Sequence, residues 1–140
     1  MVYLGVDGVI LQDHSNNCGL AALMMVFEYH GIRASQEEME RKAKPARQGV
    51  SMSTLKELSQ SFGLQATGWR LNFGDLPVVR FPAILFVENH HFVVVDSIGE
   101  GESLFVRDPA IGRLRIPKKV LMDRWKGETL VFSNNNRSPE

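Results

Sequence analysis

Residues 91–108, HFVVVDSIGEGESLFVRD, contain two strand-like runs separated by the loop GEGE. Both runs are rich in β-branched and aromatic residues, and the two glycines of the loop suit a tight reversal of the chain. The sequence therefore predicts an antiparallel β-hairpin. Pairing Ile98 with Ser103, or a register one or two residues away, sets His91 opposite a position between Asp108 and Ala110.

The predicted hairpin makes His91 and Asp108 cross-strand neighbours. Facing Cβ atoms of an antiparallel pair lie about 5 Å apart, so the carboxylate can accept a hydrogen bond from the imidazole, fix its tautomer and stabilise the imidazolium. His90 competes for this role, and alternation along a strand predicts that the two histidines face opposite sides. Taken singly, either histidine suits a solvated strand end, and Asp108 before Pro109 suits an ordinary turn.

Strand-forming composition continues on both sides of the hairpin. Further strands are predicted over residues 64–71, 83–88, 114–116 and 129–133, with a turn at 108–112 and a short helix from Pro117. The second half of the chain is therefore expected to form an antiparallel sheet.

The first half of the chain has helical patterns instead. Apolar residues recur at helical spacing over 17–30, and Gly31 follows as a stop signal. Ser35 with Glu38, and Thr54 with Glu57, resemble capping boxes that open a second and a third helix. Helices followed by strands predict an α+β domain, with N-terminal helices packed on a C-terminal antiparallel β-sheet.

The composition indicates one domain without a nucleic-acid or membrane partner. The chain of 140 residues is expected to form a domain over 1–132 and a polar, disordered tail over 133–140. Its 16 basic and 16 acidic residues balance, and no apolar run approaches the roughly 20 residues of a membrane-spanning helix. Peptides or small molecules are the expected partners.

Cys18 is the chain's single cysteine, so neither an intrachain disulfide nor a thiolate metal cluster can form. It falls in the first turn of the first predicted helix, after the potential capping residues Ser15, Asn16 and Asn17. Free backbone N–H groups and the helix dipole favour a thiolate there. The Gln12 amide is a possible oxyanion donor. Alternatively, Cys18 is a small hydrophobic core residue.

The combination of a helix-initial cysteine, a strand-initial histidine and an aspartate across the hairpin matches the roles of nucleophile, base and orienting group. The segments QDHSNNCGLAAL, HFVVV and VRDPAIGR, which contain these residues, resemble bacteriocin-processing cysteine peptidases of the papain-like group. These enzymes cut leader peptides after a double glycine. The resemblance spans nearly the whole chain, from about Gln12 to Phe132.

The resemblance implies a papain-like cysteine peptidase fold and a set of site residues. Cys18 would be the nucleophile, His91 the general base in preference to His90, Asp108 the orienting residue and Gln12 the oxyanion donor. No metal or organic cofactor is required. Asn17 departs from the acidic residue that many family members have before the cysteine, and a change of local capping is the expected consequence.

The expected activity is that of a cysteine-type endopeptidase acting on a leader peptide. In transporter members of the family such a domain precedes membrane helices and an ATPase, so an ABC transporter is a possible partner. The compartment is then the cytoplasmic face of a bacterial membrane, or the exterior for a stand-alone exported peptidase. One alternative is a leader-binding domain without catalysis. Another is a zinc site from Cys18, His91 and Asp108, which leaves Gln12 without a role.

Overall fold

The computed structural model describes residues 1–14, 16–47 and 49–134. This part of the chain contains four α-helices: α1 (Cys18–Tyr29), α2 (Gln36–Ala43), α3 (Met52–Ser61) and α4 (Lys118–Arg124). Its strands are β1 (Val2–Gly5), β2 (Leu64–Arg70), β3 (Ala83–Val87), β4 (His91–Ile98), β5 (Leu104–Asp108), β6 (Gly112–Ile116) and β7 (Trp125–Asn134). Short 3-10 turns cover Phe73–Val78 and Glu100–Glu102.

The strands form one seven-stranded antiparallel sheet in the order β1-β6-β5-β4-β3-β7-β2. The prediction of an α+β fold with helices before an antiparallel sheet is confirmed. Helix α1 packs on β4, near the middle of the sheet, and α3 packs on β2 at one edge. The sheet centre is therefore where the helical half of the chain meets the hairpin.

The β4–β5 hairpin has the predicted partners but contains an irregularity. Ile98 pairs with Leu104 and Val94 pairs with Arg107, with a shift of register between Val95 and Ser97. Continuing the ladder past Val94 sets Asp108 opposite Val93, two residues from His91. Since residues two apart on a strand share a face, Asp108 is a diagonal neighbour of His91 on the same side of the sheet.

Two apolar clusters bury the two faces of the sheet. On β4, Phe92 and Val94 contribute to the cluster beneath α1, α2 and α3, whereas Val93 and Val95 contribute to the cluster on the opposite face. Both faces of the central strand are thus buried, which explains its nearly continuous apolar sequence.

Helix α2 starts as predicted, and α3 does not. The Ser35 hydroxyl accepts a hydrogen bond from the Glu38 N–H at 3.0 Å and caps α2. For α3, the prediction of a capping box at Thr54 and Glu57 is wrong. The Ser51 hydroxyl accepts from the Thr54 N–H at 3.0 Å, so the cap lies one turn earlier. Both Ser51 and Thr54 are good capping residue types, and the sequence pattern selected the wrong one.

Strand β7 extends beyond the expected domain boundary. Ser133 and Asn134 pair with Gln65 and Leu64, so the strand includes the first two residues of the predicted tail. The remainder of that tail, 135–140, lies outside the described residues, and the boundary of the domain stays a prediction. In the described ranges, no helix has the length and apolar character needed to cross a membrane.

Candidate active site

Cys18 is the first residue of α1 and is 6% exposed. Among the described residues, no side chain caps its helix: Asn17 occupies the capping position without making a capping hydrogen bond, and the Asn16 amide donates to the Ala46 carbonyl instead. Ser15, the third capping candidate, lies outside the described residues. The first N–H groups of α1 are therefore not used by a cap, which leaves them for the sulfur or for an oxyanion.

The surroundings of the Cys18 sulfur favour its ionised form. Burial by itself would raise the pKa of the thiol, but hydrogen bonds from the His91 ring and from the Phe92 and Gly19 N–H groups outweigh burial. Together they lower the pKa of Cys18 below its ordinary value of 9.0. Two of these donors lie on β4, so the hairpin and the helix jointly create the site.

His91 and Asp108 are directly bonded. The His91 Nε2–H donates to Asp108 Oδ1 at 2.7 Å, with the two side chains 13% and 2% exposed. The same oxygen accepts the Ala110 N–H at 2.8 Å, so the carboxylate is held in place by the turn after β5. Since Nε2 is taken by Asp108, Nδ1 is the ring nitrogen that remains for the Cys18 sulfur.

The pKa of His91 moves in the opposite direction from that of Cys18. Burial alone favours the neutral ring, but the hydrogen bonds with Asp108 and Cys18, and the charges of both, raise the pKa to about 9 from the ordinary 6.5. A lowered thiol pKa and a raised imidazole pKa favour a thiolate–imidazolium pair at neutral pH. Such a pair holds a nucleophile and a proton donor side by side.

The sequence predicted that alternation along one strand would point His90 and His91 to opposite sides of the sheet. In the structure His90 does not belong to the strand. It lies in the turn before β4, and its Nδ1 is 2.7 Å from the Glu88 carbonyl oxygen. The two rings are 6.3 Å apart between centroids, and only His91 contacts Asp108. The two histidines have different partners, as expected, but the physical reason is that His90 precedes the strand.

Gln12 is half-buried and tied to the turn that contains Asp108. Its backbone N–H donates to the Pro109 carbonyl at 2.9 Å, and its side-chain Nε2 donates to the His14 carbonyl at 3.0 Å. Its Oε1 is buried and has no hydrogen-bond partner within the described parts of the chain. The amide that the sequence assigns to an oxyanion is thus bonded to its own loop in the resting structure.

Asn17 does more than alter local capping. Its side chain, 2% exposed, donates through Nδ2 to Asp13 Oδ1 and, at 2.9 Å, to Glu40 Oε2. Gln36 Nε2 bonds the same two oxygens at 2.6 and 3.3 Å. The loop before Cys18 is thereby fixed to α2. Sequence reasoning missed this cluster because Asn17 and Glu40 are far apart along the chain.

A cleft of about 450 Å³ opens beside the Cys18 sulfur. It is lined by Cys18, Gly49, Val50, Ser51, Met52, Phe86, Asn89, His90, Phe92 and Glu128. Its volume falls within the range of ordinary ligand pockets. An extended peptide that places a carbonyl at the sulfur would lay a neighbouring side chain in this space.

The sequence left open a zinc site formed by Cys18, His91 and Asp108. Across the described ranges, no group of three or more His, Cys, Asp or Glu side chains is arranged to hold a metal ion. Instead, His91 Nε2 and Asp108 Oδ1 are hydrogen-bonded to each other.

The model of the peptidase C39 family matches residues 7–137. An uncharacterised protein of Methanothermobacter marburgensis is 29% identical over 129 residues, which cover 92% of this chain and 90% of that protein. The probable functional amyloid protease FapD of Pseudomonas aeruginosa is 32% identical over 128 residues, covering 84% of this chain. This match spans 55% of FapD, so the chain corresponds to about half of that relative.

The fold also matches a solved structure closely. A crystal structure of a double glycine motif protease from an AMS/PCAT transporter, in complex with the leader peptide, superimposes with a TM-score of 0.86 at 28% identity. The superposition covers 91% of each chain. The papain-like assignment of the fold is thus confirmed.

Proposed function

Because the chain belongs to the peptidase C39 family, we propose that it is a cysteine peptidase that cleaves leader peptides after a double glycine. The observation that carries this proposal is that His91 is hydrogen-bonded to Asp108 and is near enough to Cys18, at the start of α1, for the two side chains to shift each other's pKa. The roles of nucleophile, general base and acid, and orienting residue follow from that arrangement.

The first half of the reaction forms an acyl-enzyme. The Cys18 thiolate attacks the scissile carbonyl carbon, a C–S bond forms, and the carbonyl π electrons move to the oxygen. The free N–H groups at the start of α1 stabilise this oxyanion. His91, as imidazolium, gives its proton to the departing nitrogen while the C–N bond breaks.

The second half restores the enzyme. Neutral His91 removes a proton from water, the hydroxide attacks the thioester carbonyl, and the C–S bond breaks to release the leader as a carboxylic acid, which loses its proton to solvent. The thiolate and the imidazolium are then regenerated. Asp108 keeps the ring oriented throughout and stabilises its charged form.

Gln12 is the proposed side-chain donor to the oxyanion. In the resting structure its Nε2 donates to the His14 carbonyl, so this bond must be exchanged for the oxyanion when substrate arrives. The backbone bond from Gln12 to Pro109 keeps the residue beside the site during that exchange. Catalytic hydrogen bonds often form fully only in the complex.

The double-glycine specificity and the partner are supported by the relatives. The solved double glycine motif protease comes from an AMS/PCAT transporter and holds a leader peptide. We propose that this chain likewise takes leader peptides and works with an ABC transporter. A leader-binding domain without catalysis is the less favoured function, because Cys18, His91 and Asp108 are all present, His91 is bonded to Asp108, and the pKa of the Cys18 thiol is lowered.

The proposal is tested with synthetic leader peptides that contain Gly-Gly, Gly-Ala or Ala-Ala before a short cargo sequence. Mass spectrometry of the products locates the cut. The expected result is cleavage after Gly-Gly by the wild type and none by Cys18→Ala. Equal cleavage by Cys18→Ala, or binding of Gly-Gly leaders without cleavage by the wild type, would overturn the proposal.

A further inference from the structure

The described residues that line the cleft beside Cys18 include one acidic residue, Glu128. The described residues that line this cleft include no lysine or arginine, and Arg70 approaches Glu128 from outside that lining. Glu128 lies on β7, where its carbonyl accepts the Trp125 indole N–H at 3.1 Å. The strand therefore fixes the backbone of Glu128 independently of its carboxylate.

The carboxylate of Glu128 is weakly paired. Its contact with Arg70 Nη2 is 3.9 Å long, and the two side chains are 36% and 70% exposed. Arg70 also donates through Nη1 to the Lys126 carbonyl at 3.0 Å, which is a better hydrogen bond. An exposed pair of this length contributes little to stability. A cation entering the cleft can therefore compete for Glu128.

The other walls of the cleft suit the stem of a long side chain. Val50, Met52, Phe86 and Phe92 supply apolar surface to the cleft that Cys18 and Glu128 also line. Lysine and arginine combine a flexible aliphatic stem with a charged end group, and they place the two parts in different surroundings. A substrate side chain that ends in a carboxylate would be repelled by Glu128, because both groups carry negative charge.

We propose that Glu128 makes this cleft a subsite for a lysine or arginine of the peptide substrate. The proposal rests on the proposed peptidase function, because Cys18 lines the same cleft and the bound residue must lie near the scissile bond. Successive residues of an extended peptide advance about 3.3 Å each, so the basic residue belongs within about three positions of the cut. Glu128 is then a specificity-determining residue.

Peptide cleavage gives the first test. A Gly-Gly host peptide is scanned with lysine, glutamine or glutamate at every position from three before to three after the cut, the two glycines included. At one position we expect kcat/KM to be about five- to tenfold higher for lysine than for glutamine. Glu128→Gln should abolish this preference, and Glu128→Lys should favour glutamate. No preference at any position, or a preference unchanged in Glu128→Gln, would overturn the proposal.

Two control variants separate the subsite from its surroundings. Arg70→Gln removes the weak partner of Glu128 and should retain or increase the lysine preference, because the carboxylate is then free. Glu102→Gln removes an acidic residue in the loop at the far end of β4 and should leave the preference unchanged. Loss of the preference in either control would contradict a role specific to Glu128.

Charged thiol reagents test the same carboxylate without peptidase activity. Because Cys18 is the only cysteine, its labelling by a cationic and by a neutral methanethiosulfonate can be followed on the whole protein. The ratio of the two rates cancels changes in thiolate content, and it should fall severalfold in Glu128→Gln but not in Glu102→Gln. An unchanged ratio would count against the subsite.

The two assays distinguish the subsite from the proposed function. If no peptide is cleaved but the reagent ratio falls, the peptidase proposal fails and the cationic subsite stands. If Gly-Gly peptides are cleaved without a basic preference, the peptidase stands and the subsite fails. If lysine is accepted only in place of a glycine, Glu128 sets specificity and the double-glycine proposal is wrong.

Discussion

His91 Nε2 lies 2.7 Å from Asp108 Oδ1, across a hairpin whose hydrogen-bonded ladder has already ended at Val94 and Arg107. The contact is diagonal, and the turn after β5 holds it because the Ala110 N–H donates to the same oxygen. Asp108 thus shapes a turn and contacts the imidazole at once. Its two roles can be separated by substitution.

Asp108→Asn should lower turnover by a factor on the order of 10² to 10⁴ with a small change in melting temperature. The asparagine oxygen can take the place of Oδ1 and accept both the Ala110 N–H and the His91 Nε2–H, so the turn is kept, but a neutral amide is a weaker acceptor than a carboxylate. It also cannot stabilise the imidazolium by charge. The measurements are kcat for a cleaved peptide and Tm beside the wild type. A variant that melts early but turns over normally would make Asp108 a structural turn residue only.

His91→Ala should abolish peptide cleavage, whereas His90→Ala should retain most of it. The His91 ring is bonded to Asp108, and Cys18 and Asp108 raise its pKa, while His90 Nδ1 contacts a turn carbonyl. Both variants are compared with the wild type by kcat/KM and by circular dichroism. Equal loss in two folded variants would show that His90 also takes part in the chemistry.

Asn17→Asp should destabilise the protein by about 1–3 kcal/mol, because it replaces a buried donor with a third carboxylate beside Asp13 and Glu40. Hydrogen bonds, first of all that from Asn17, lower the pKa of Asp13, so its charge is present at neutral pH. The measurement is the free energy of unfolding in urea.

A second substitution tests the cause of the stability lost in Asn17→Asp. In the double variant with Glu40→Gln, the new amide can donate to the new aspartate, so about half or more of the lost stability should return. Glu40→Gln alone provides the reference. If Asn17→Asp matched the wild type, the amide cluster would not be what fixes the loop before Cys18.

Gly19→Ala should cost about 1–3 kcal/mol through crowding at the start of α1. A Cβ at this position would lie 2.8 Å from Val50 Cγ2 and 3.2 Å from Phe92 Cδ2. Val50→Ala should restore part of the stability by making room. Gly74→Ala is the matched control, since nothing lies within 4 Å of its added Cβ. Chemical denaturation of the wild type, Gly19→Ala, Gly19→Ala with Val50→Ala, and Gly74→Ala gives their free energies of unfolding. Equal stability of Gly19→Ala and Gly74→Ala would contradict the prediction.

The sequence predicted the contact between His91 and Asp108 because a short loop fixes the hairpin register to within two residues. It did not predict β1, whose residues Val2, Tyr3 and Leu4 are all exposed at the sheet edge and so lack an alternating pattern. The bond from Asn17 to Glu40, and the placement of Glu128 in the cleft that Cys18 also lines, depend on packing between distant segments. Local patterns contain no information on such pairs.

The most direct measurement of the central claim is the rate of Cys18 alkylation by iodoacetamide as a function of pH. Because the pKa of Cys18 is lowered and that of His91 is raised to about 9, the wild type should reach its fast plateau at a lower pH than an ordinary thiol does. His91→Ala should move the midpoint of the profile up toward the ordinary thiol pKa of 9.0. A wild-type profile like that of glutathione, with no change in His91→Ala, would contradict a thiolate–imidazolium pair at this site.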